Sequence, residues 1–170
     1  MTPPKLNPPA PINPDHRCED FDSSVPVLDD WLKKRALKNQ ASGASRTYVV
    51  TAANQVVAGY YCLVAGAVAH GQAPKPLRRN MPDPIPVIVL GRLAIDHRYQ
   101  RLGLGRGLLK DAVLRTIQAS ELAGIRAILV HAISEDAKRF YLSCGFLELP
   151  TQPMMLCLPL ETARKVILEE

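Results

Sequence analysis

The stretch Gln100–Leu109, QRLGLGRGLL, sets Gly103, Gly105 and Gly107 among Arg101 and Arg106 directly in front of an apolar helical pattern. A strand-loop-helix junction of this kind leaves backbone N–H groups unpaired at a helix N-terminus, where they attract phosphate. Glycines suit it because a side chain would block close approach and because some N–H orientations need positive φ. Two familiar phosphate sites do not fit. A P-loop needs G-x-x-x-x-G-K-[ST], and no glycine here is followed by Lys-Ser or Lys-Thr. A dinucleotide turn needs G-x-G-x-x-G at the chain's first strand with an acid about 20 residues on. The spacing here is G-x-G-x-G, after the third predicted strand.

A second chemical signal is charge. Of the 170 residues, those from Trp31 to Pro82 hold eight basic side chains and no acidic one: Lys33, Lys34, Arg35, Lys38, Arg46, Lys75, Arg78 and Arg79. Like charges that cannot pair locally project a field over about a Debye length, ~8 Å at physiological salt, which suits a polyanionic partner. Four cysteines without a C-x-x-C pair, and four histidines without ligand spacing to them, point to a reduced cytoplasmic protein with no metal site. The opening MTPPKLNPPAPINPDH has one lysine and no apolar run, so it reads as neither signal peptide nor membrane anchor. Its six prolines predict an extended, mobile arm over residues 1–20, ahead of one domain over 21–170.

The elements that must hold the glycine loop follow from periodicity. SSVPVLDDWLKKRALKNQASG reads as one helix, Pro26 in its first turn, with Leu28, Trp31, Leu32 and Ala36 on the buried face. RTYVVTA and VVAGYYCLVAGAVA make a hairpin around Ala53-Asn54-Gln55, and a proline-rich loop carrying Arg78 and Arg79 follows. VIVLGRLAI is an apolar, β-branched run of the kind buried on both faces. Beyond the glycine loop come a helix to about Leu122, the strand AILVHA, a short helix capped by Ser134, and the final strands FLEL and MMLCLPL. The order describes a mixed α/β sheet with the glycine loop after a central strand.

Gln100, Gly103 and Gly105 fill Q/R-x-x-G-x-G/A, the pyrophosphate signature of the GNAT N-acetyltransferases, which this chain resembles. The position after VLGRLAI, the strand AILVHA, and Phe140-Tyr141 leading to Gly145-Phe146 are similar as well. The resemblance implies a mostly antiparallel sheet flanked by helices, with one splayed parallel strand pair taking the pantetheine arm of acetyl-CoA. It implies that Leu93, Ala94 and Ile95 offer backbone groups to the pantetheine and thioester. Arg101, Leu102, Gly103, Leu104, Gly105, Arg106 and Gly107 would cradle the pyrophosphate, with Phe140 packed near the co-substrate. A backbone N–H near Ile95 would stabilise the oxyanion, and Tyr141 would protonate the departing thiolate as general acid.

Many GNAT enzymes keep a glutamate on the strand before the glycine loop, and VIVLGRLAI has no carboxylate. Asp96 and His97 stand at the strand's end, where a loop start or a solvent-facing position is expected. An acceptor that readily loses its proton relieves the need for a base. A lysine amine, pKa about 10.4, fits poorly, whereas an α-amine near 7.7 to 8.0, lower still beside an ester, fits well.

From Phe21 to Leu160, and most specifically in ALKNQASGASRTYVV, the chain resembles the GNAT toxins of bacterial type II toxin-antitoxin systems. That resemblance implies acetylation of the α-amine of aminoacyl-tRNA and a block of translation. Lys33, Lys34, Arg35, Lys38, Arg46, Arg78 and Arg79 become the candidate tRNA contacts. It also implies a homodimer and a ribbon-helix-helix antitoxin whose tail covers the basic surface, with operator DNA reached only through that antitoxin. Two other readings stay open: acetylation of a small amine or protein N-terminus, and a non-catalytic repressor module that keeps the acetyl-CoA site as structure. Which aminoacyl-tRNA is chosen is not written in the spacing.

Overall fold

The computed structural model describes residues 4–169. Seven strands form one sheet: β1 (Ala10–Pro11), β2 (Arg46–Thr51), β3 (Val57–Val68), β4 (Ile85–Ile95), β5 (Ala127–His131), β6 (Leu147–Leu149) and β7 (Gln152–Pro159). Their order is β1-β2-β3-β4-β5-β7-β6. β4 and β5 run parallel, from Val87 opposite Ala127 to Leu90 opposite Val130. The β1–β2, β2–β3, β5–β7 and β6–β7 pairs are antiparallel. β5 ends one residue past its last parallel partner, whereas β4 runs on to Ile95. The expected mixed α/β sheet with a single parallel pair is therefore present.

The chain divides into two compact units, Met1–Val64 with Gly91–Ala112, and Ala65–Leu90 with Val113–Glu170. In the first, the expected leading helix is two: α1 (Pro26–Lys34) and α2 (Ala36–Ser42), separated at Arg35 with φ −121° and ψ −33°. No proline or glycine announces that break. Leu28, Leu32 and Ala36 all reach one core cluster, with Ile12, Phe21, Val49, Val57, Tyr60 and Ala94. Burying each large apolar side chain contributes about 1.5–3 kcal/mol. Gly43 ends α2 in the left-handed conformation, φ +83°. From residue 4 on, the proline-rich segment is docked on the sheet. Ala10–Pro11 pairs along β2, Ile12 N–H donates to the Thr47 carbonyl, and the Ile12 side chain is buried.

The second unit has its own cluster of Val68, Ala73, Leu77, Ile85, Val87, Ala127, Leu129, Leu149 and Cys157. The expected proline-rich loop contains a short helix, α3 (Lys75–Arg78), with Pro76 in its first turn. α4 (Leu104–Ser120) begins in the first unit and ends in the second. α5 (Glu135–Ser143) is capped by the Ser134 hydroxyl, which accepts from Ala137 N–H at 3.1 Å. A last helix, α6 (Leu160–Glu169), follows β7 where no helix was expected.

Candidate active site

The apolar run expected to hold the thioester is the end of β4. Leu93 and Ile95 are half-buried and Ala94 is buried in the first unit's core. The glycine loop leaves it through a 3₁₀ turn at His97–Tyr99. Gln100, the first motif residue, turns back: its side-chain amide donates to the Ile95 carbonyl at 3.0 Å. The loop is thereby fastened to the strand it follows. Arg101 and Gly103 both adopt positive φ, +66° and +79°. α4 starts at Leu104, and its first internal bond runs from Gly107 N–H to the Gly103 carbonyl at 3.1 Å. The N–H groups of Leu104 and Gly105 thus lie in the first turn, with no helical carbonyl to receive them. A Cβ added at Gly103 or Gly107 would meet nothing within 4 Å, so both glycines leave open space beside those donors. Open donors, glycine backbone and the exposed Arg101 and Arg106 suit a pyrophosphate.

The base of α4 rests on β3. A Cβ at Gly59 would lie 3.0 Å from both Ile95 Cδ1 and Leu108 Cδ1 and 3.3 Å from the Ala94 carbonyl, so any larger residue would crowd the contact of β3, β4 and α4. One turn further on, the Tyr61 hydroxyl donates to the Asp111 carboxylate, and Tyr48 stacks on Tyr61 with ring centroids 5.2 Å apart. This anchor was not foreseen: adjacent tyrosines in a strand and an aspartate in a helix carry no sequence signal of their pairing.

Asp96 starts the loop, one of its two expected places, capping the 3₁₀ turn just past the end of β4, but it does not face solvent. Its side chain has no exposed surface and accepts from Arg98 Nε at 2.9 Å, Arg98 Nη2 at 3.0 Å, Arg98 N–H at 2.9 Å and Asp22 N–H at 3.0 Å. Burial pushes its pKa up, but the Arg98 side-chain and backbone bonds and the Asp22 N–H outweigh it and hold the carboxyl below its ordinary value. A carboxylate so engaged joins the segment before α1 to the end of β4 and is poorly placed to take a proton. His97 stays at the surface, its Nδ1 3.0 Å from the Asp22 carbonyl.

In the second unit, Tyr141 lies on α5 between Phe140, at 5.2 Å, and Phe146, at 5.5 Å between ring centroids. The side chain is buried and burial raises its pKa, so the phenol keeps its proton throughout the neutral range. Its hydroxyl makes no hydrogen bond among the described residues. A protonated, uncommitted hydroxyl is what a proton donor requires.

The candidate tRNA contacts divide likewise. Lys33, Lys34, Arg35, Lys38 and Arg46 are exposed on α1, α2 and the start of β2 in the first unit. In the second, Arg79 is exposed and Arg78, half-buried, donates to the Ala73 carbonyl. None of the seven forms an ion pair among the described residues. Within the second unit Arg126 ties down α3, donating to the Leu77 and Pro76 carbonyls at 3.1 and 2.9 Å. No group of three or more His, Cys, Asp or Glu among the described residues could hold a metal, and no described helix is long and apolar enough to cross a membrane.

Residues 43–148 match the acetyltransferase (GNAT) domain model. The chain is 50% identical over 147 residues to the tRNA-acetylating toxin of Mycobacterium tuberculosis (strain ATCC 25618 / H37Rv), covering 86% of this chain and 88% of that protein. The structure is similar to that of AtaT complexed with acetyl-methionyl-tRNAfMet, with a TM-score of 0.88 and 26% identity over 96% of this chain and 99% of that one. It is also similar to a tyrosine-to-phenylalanine mutant of the toxin AtaT bound to the C-terminus of the antitoxin AtaR, with a TM-score of 0.82 and 25% identity over 95% and 97% of the two chains.

Proposed function

Because the chain belongs to the GNAT acetyltransferase family, with acetyl-CoA as its co-substrate, we propose that it is a toxin that acetylates the α-amine of aminoacyl-tRNA. The observation that carries this reading is the state of β4: the strand has no carboxylate, and the one at its end, Asp96, is fully engaged by Arg98 and Asp22. An acceptor with a high pKa would have no base, whereas an α-amine beside an ester is partly neutral near pH 7. The unpaired basic residues of α1 and α2 add the charge expected of a tRNA-binding face. Half-identity to a tRNA-acetylating toxin and likeness to a tRNA-bound toxin support it.

The co-substrate supplies an acetyl thioester, and the chain's residues do the rest. The first-turn N–H groups of α4, with Arg101 and Arg106, hold the pyrophosphate, while the Leu93–Ile95 backbone orients the thioester. The amine nitrogen bonds to the acetyl carbon as the C–S bond breaks. Tyr141 gives its phenolic proton to the leaving sulfur, and the proton lost by the amine passes to water. The product has an amide where elongation needs an amine, so translation stops. The reading further includes a cytoplasmic homodimer neutralised by a ribbon-helix-helix antitoxin, which alone brings the pair to operator DNA.

Nuclease digestion of total charged tRNA after incubation with the protein and acetyl-CoA, followed by mass spectrometry, tests the acceptor. N-acetyl-aminoacyl-adenosine is the expected product. Unmodified aminoacyl-adenosine, with acetyl groups found elsewhere, would contradict it.

A further inference from the structure

In the first unit β4 breaks the alternation of a regular strand. On β3, Tyr60 and Cys62 are two residues apart and face α1: the Tyr60 hydroxyl donates to the Leu28 carbonyl, and its ring stacks on Trp31. A Cβ at Gly91 would lie 3.0 Å from Cys62 Sγ, on that same side. Yet the next residue, Arg92, also lies there, its guanidinium 4.6 Å over the Trp31 ring, and Ala94 joins the same core cluster. Two consecutive residues address one face, as at a β-bulge, a device that re-aims a side chain. Without the slip Arg92 would point toward α4.

Arg92 is the only charged residue of β4, and it directly precedes the residues assigned to the thioester. Trp31 is sandwiched between the guanidinium and Tyr60, which holds the charge in place. No carboxylate pairs with it among the described residues. The titratable groups that Arg92 acts on are Cys62 and Tyr60 on β3, and Asp29 of α1 and Cys18 act on the same Tyr60. The Asp29 carboxylate is taken up by the Ser23 N–H and hydroxyl.

We propose that Arg92 replaces the missing base: its fixed positive charge beside the acetyl-transfer strand keeps the acceptor α-amine unprotonated. A cation favours the neutral form of a neighbouring amine. A related influence is seen on Cys62, whose thiol pKa is raised by burial while Arg92 is the largest influence drawing it down. The inference rests on the aminoacyl-tRNA reading and supplies the mechanism by which the site manages without a carboxylate.

The test is the pH profile of wild type, Arg92→Gln and Arg92→Lys on charged tRNA. The profile of kcat reports the amine in the complex, and that of kcat/KM the free amine. Arg92→Gln is expected to move the acid limb of kcat up by about 1 pH unit, costing about tenfold in rate at pH 6.5 and under about twofold at pH 8.5. Arg92→Lys is expected to keep the wild-type midpoint. An unmoved midpoint in folded Arg92→Gln, or equal shifts in both variants, would overturn the proposal. A second measurement needs no variant. With CoA present, wild-type binding of charged tRNA should weaken as pH falls below the amine's pKa while deacylated tRNA binds evenly, and parallel curves would also overturn it. Failure of wild type to acetylate charged tRNA at any pH would instead remove the function on which the inference stands.

Discussion

Tyr141 and Asp96 show how environment separates two titratable groups. Burial keeps the phenol protonated, whereas four hydrogen bonds keep the carboxylate ionised. If Tyr141 is the proton donor, Tyr141→Phe should lower kcat by about 10²–10⁴-fold with little change in KM for either substrate. Thermal melting should stay close to wild type, because the hydroxyl has no described partner to lose. Unchanged turnover in the folded variant would remove the assignment. Asp96 yields a prediction about pH. A depressed folded pKa means that its contribution to stability is complete above the unfolded value, about 3.9, and is lost as pH falls through the lower folded value. Asp96→Asn should therefore melt lower than wild type at pH 7, and the gap should narrow toward pH 3. A gap that is constant with pH would show that the ionised carboxylate is not what holds Asp22 to the end of β4. The assignment of Tyr141 as proton donor rests on a motif and awaits that test. The locking of Asp96 was not legible in the sequence, because Asp22 lies 74 residues away and nothing local announces the contact.

At the scale of elements, the glycine loop was the most readable part of the chain. Three glycines before an apolar periodic run dictate a strand-loop-helix turn, and positive φ at Gly103 bears that out. Gly103→Val should be strained in two ways, by a β-branched side chain at φ +79° and by a side chain in the space left beside the helix N-terminus. The expected result is a raised KM for acetyl-CoA with a smaller effect on kcat, measured at saturating tRNA. An unchanged KM would place the pyrophosphate elsewhere. The elements that were misread have a common physical origin. α1 and α2 separate at Arg35 without any breaker residue, and α3 forms in a segment whose prolines suggest a loop, with Arg126 tying down its carbonyls. Tertiary contacts decide both. β1 is only two residues long and contains a proline, too short a pattern to stand out from an extended arm. Arg92 was overlooked although it did carry a signal, being a lone charge in an otherwise apolar central strand.

For the whole molecule, the parallel β4–β5 pair is the one the family resemblance implied, whereas neither the strand order nor the division into two compact units was read from the sequence; β3, β4 and α4 contribute to both units. The charge distribution is also a property of the whole chain. Eight basic residues without an acid between Trp31 and Pro82 amount to a field rather than a set of contacts. Reversing Arg78 and Arg79 to glutamate should weaken tRNA binding and flatten the dependence of log K on log salt by about 1–2. A salt slope equal to wild type would take these residues off the tRNA. The identity of the acceptor is tested most directly by incubating the purified protein with labelled acetyl-CoA and total charged tRNA, then treating the RNA with mild alkali. An aminoacyl-tRNA acetyltransferase puts label in the RNA fraction, and the alkali releases all of it as N-acetyl-amino acid when the ester is cleaved. Label in small amines or protein, label that stays on the RNA after deacylation, or no transfer at all would contradict that function.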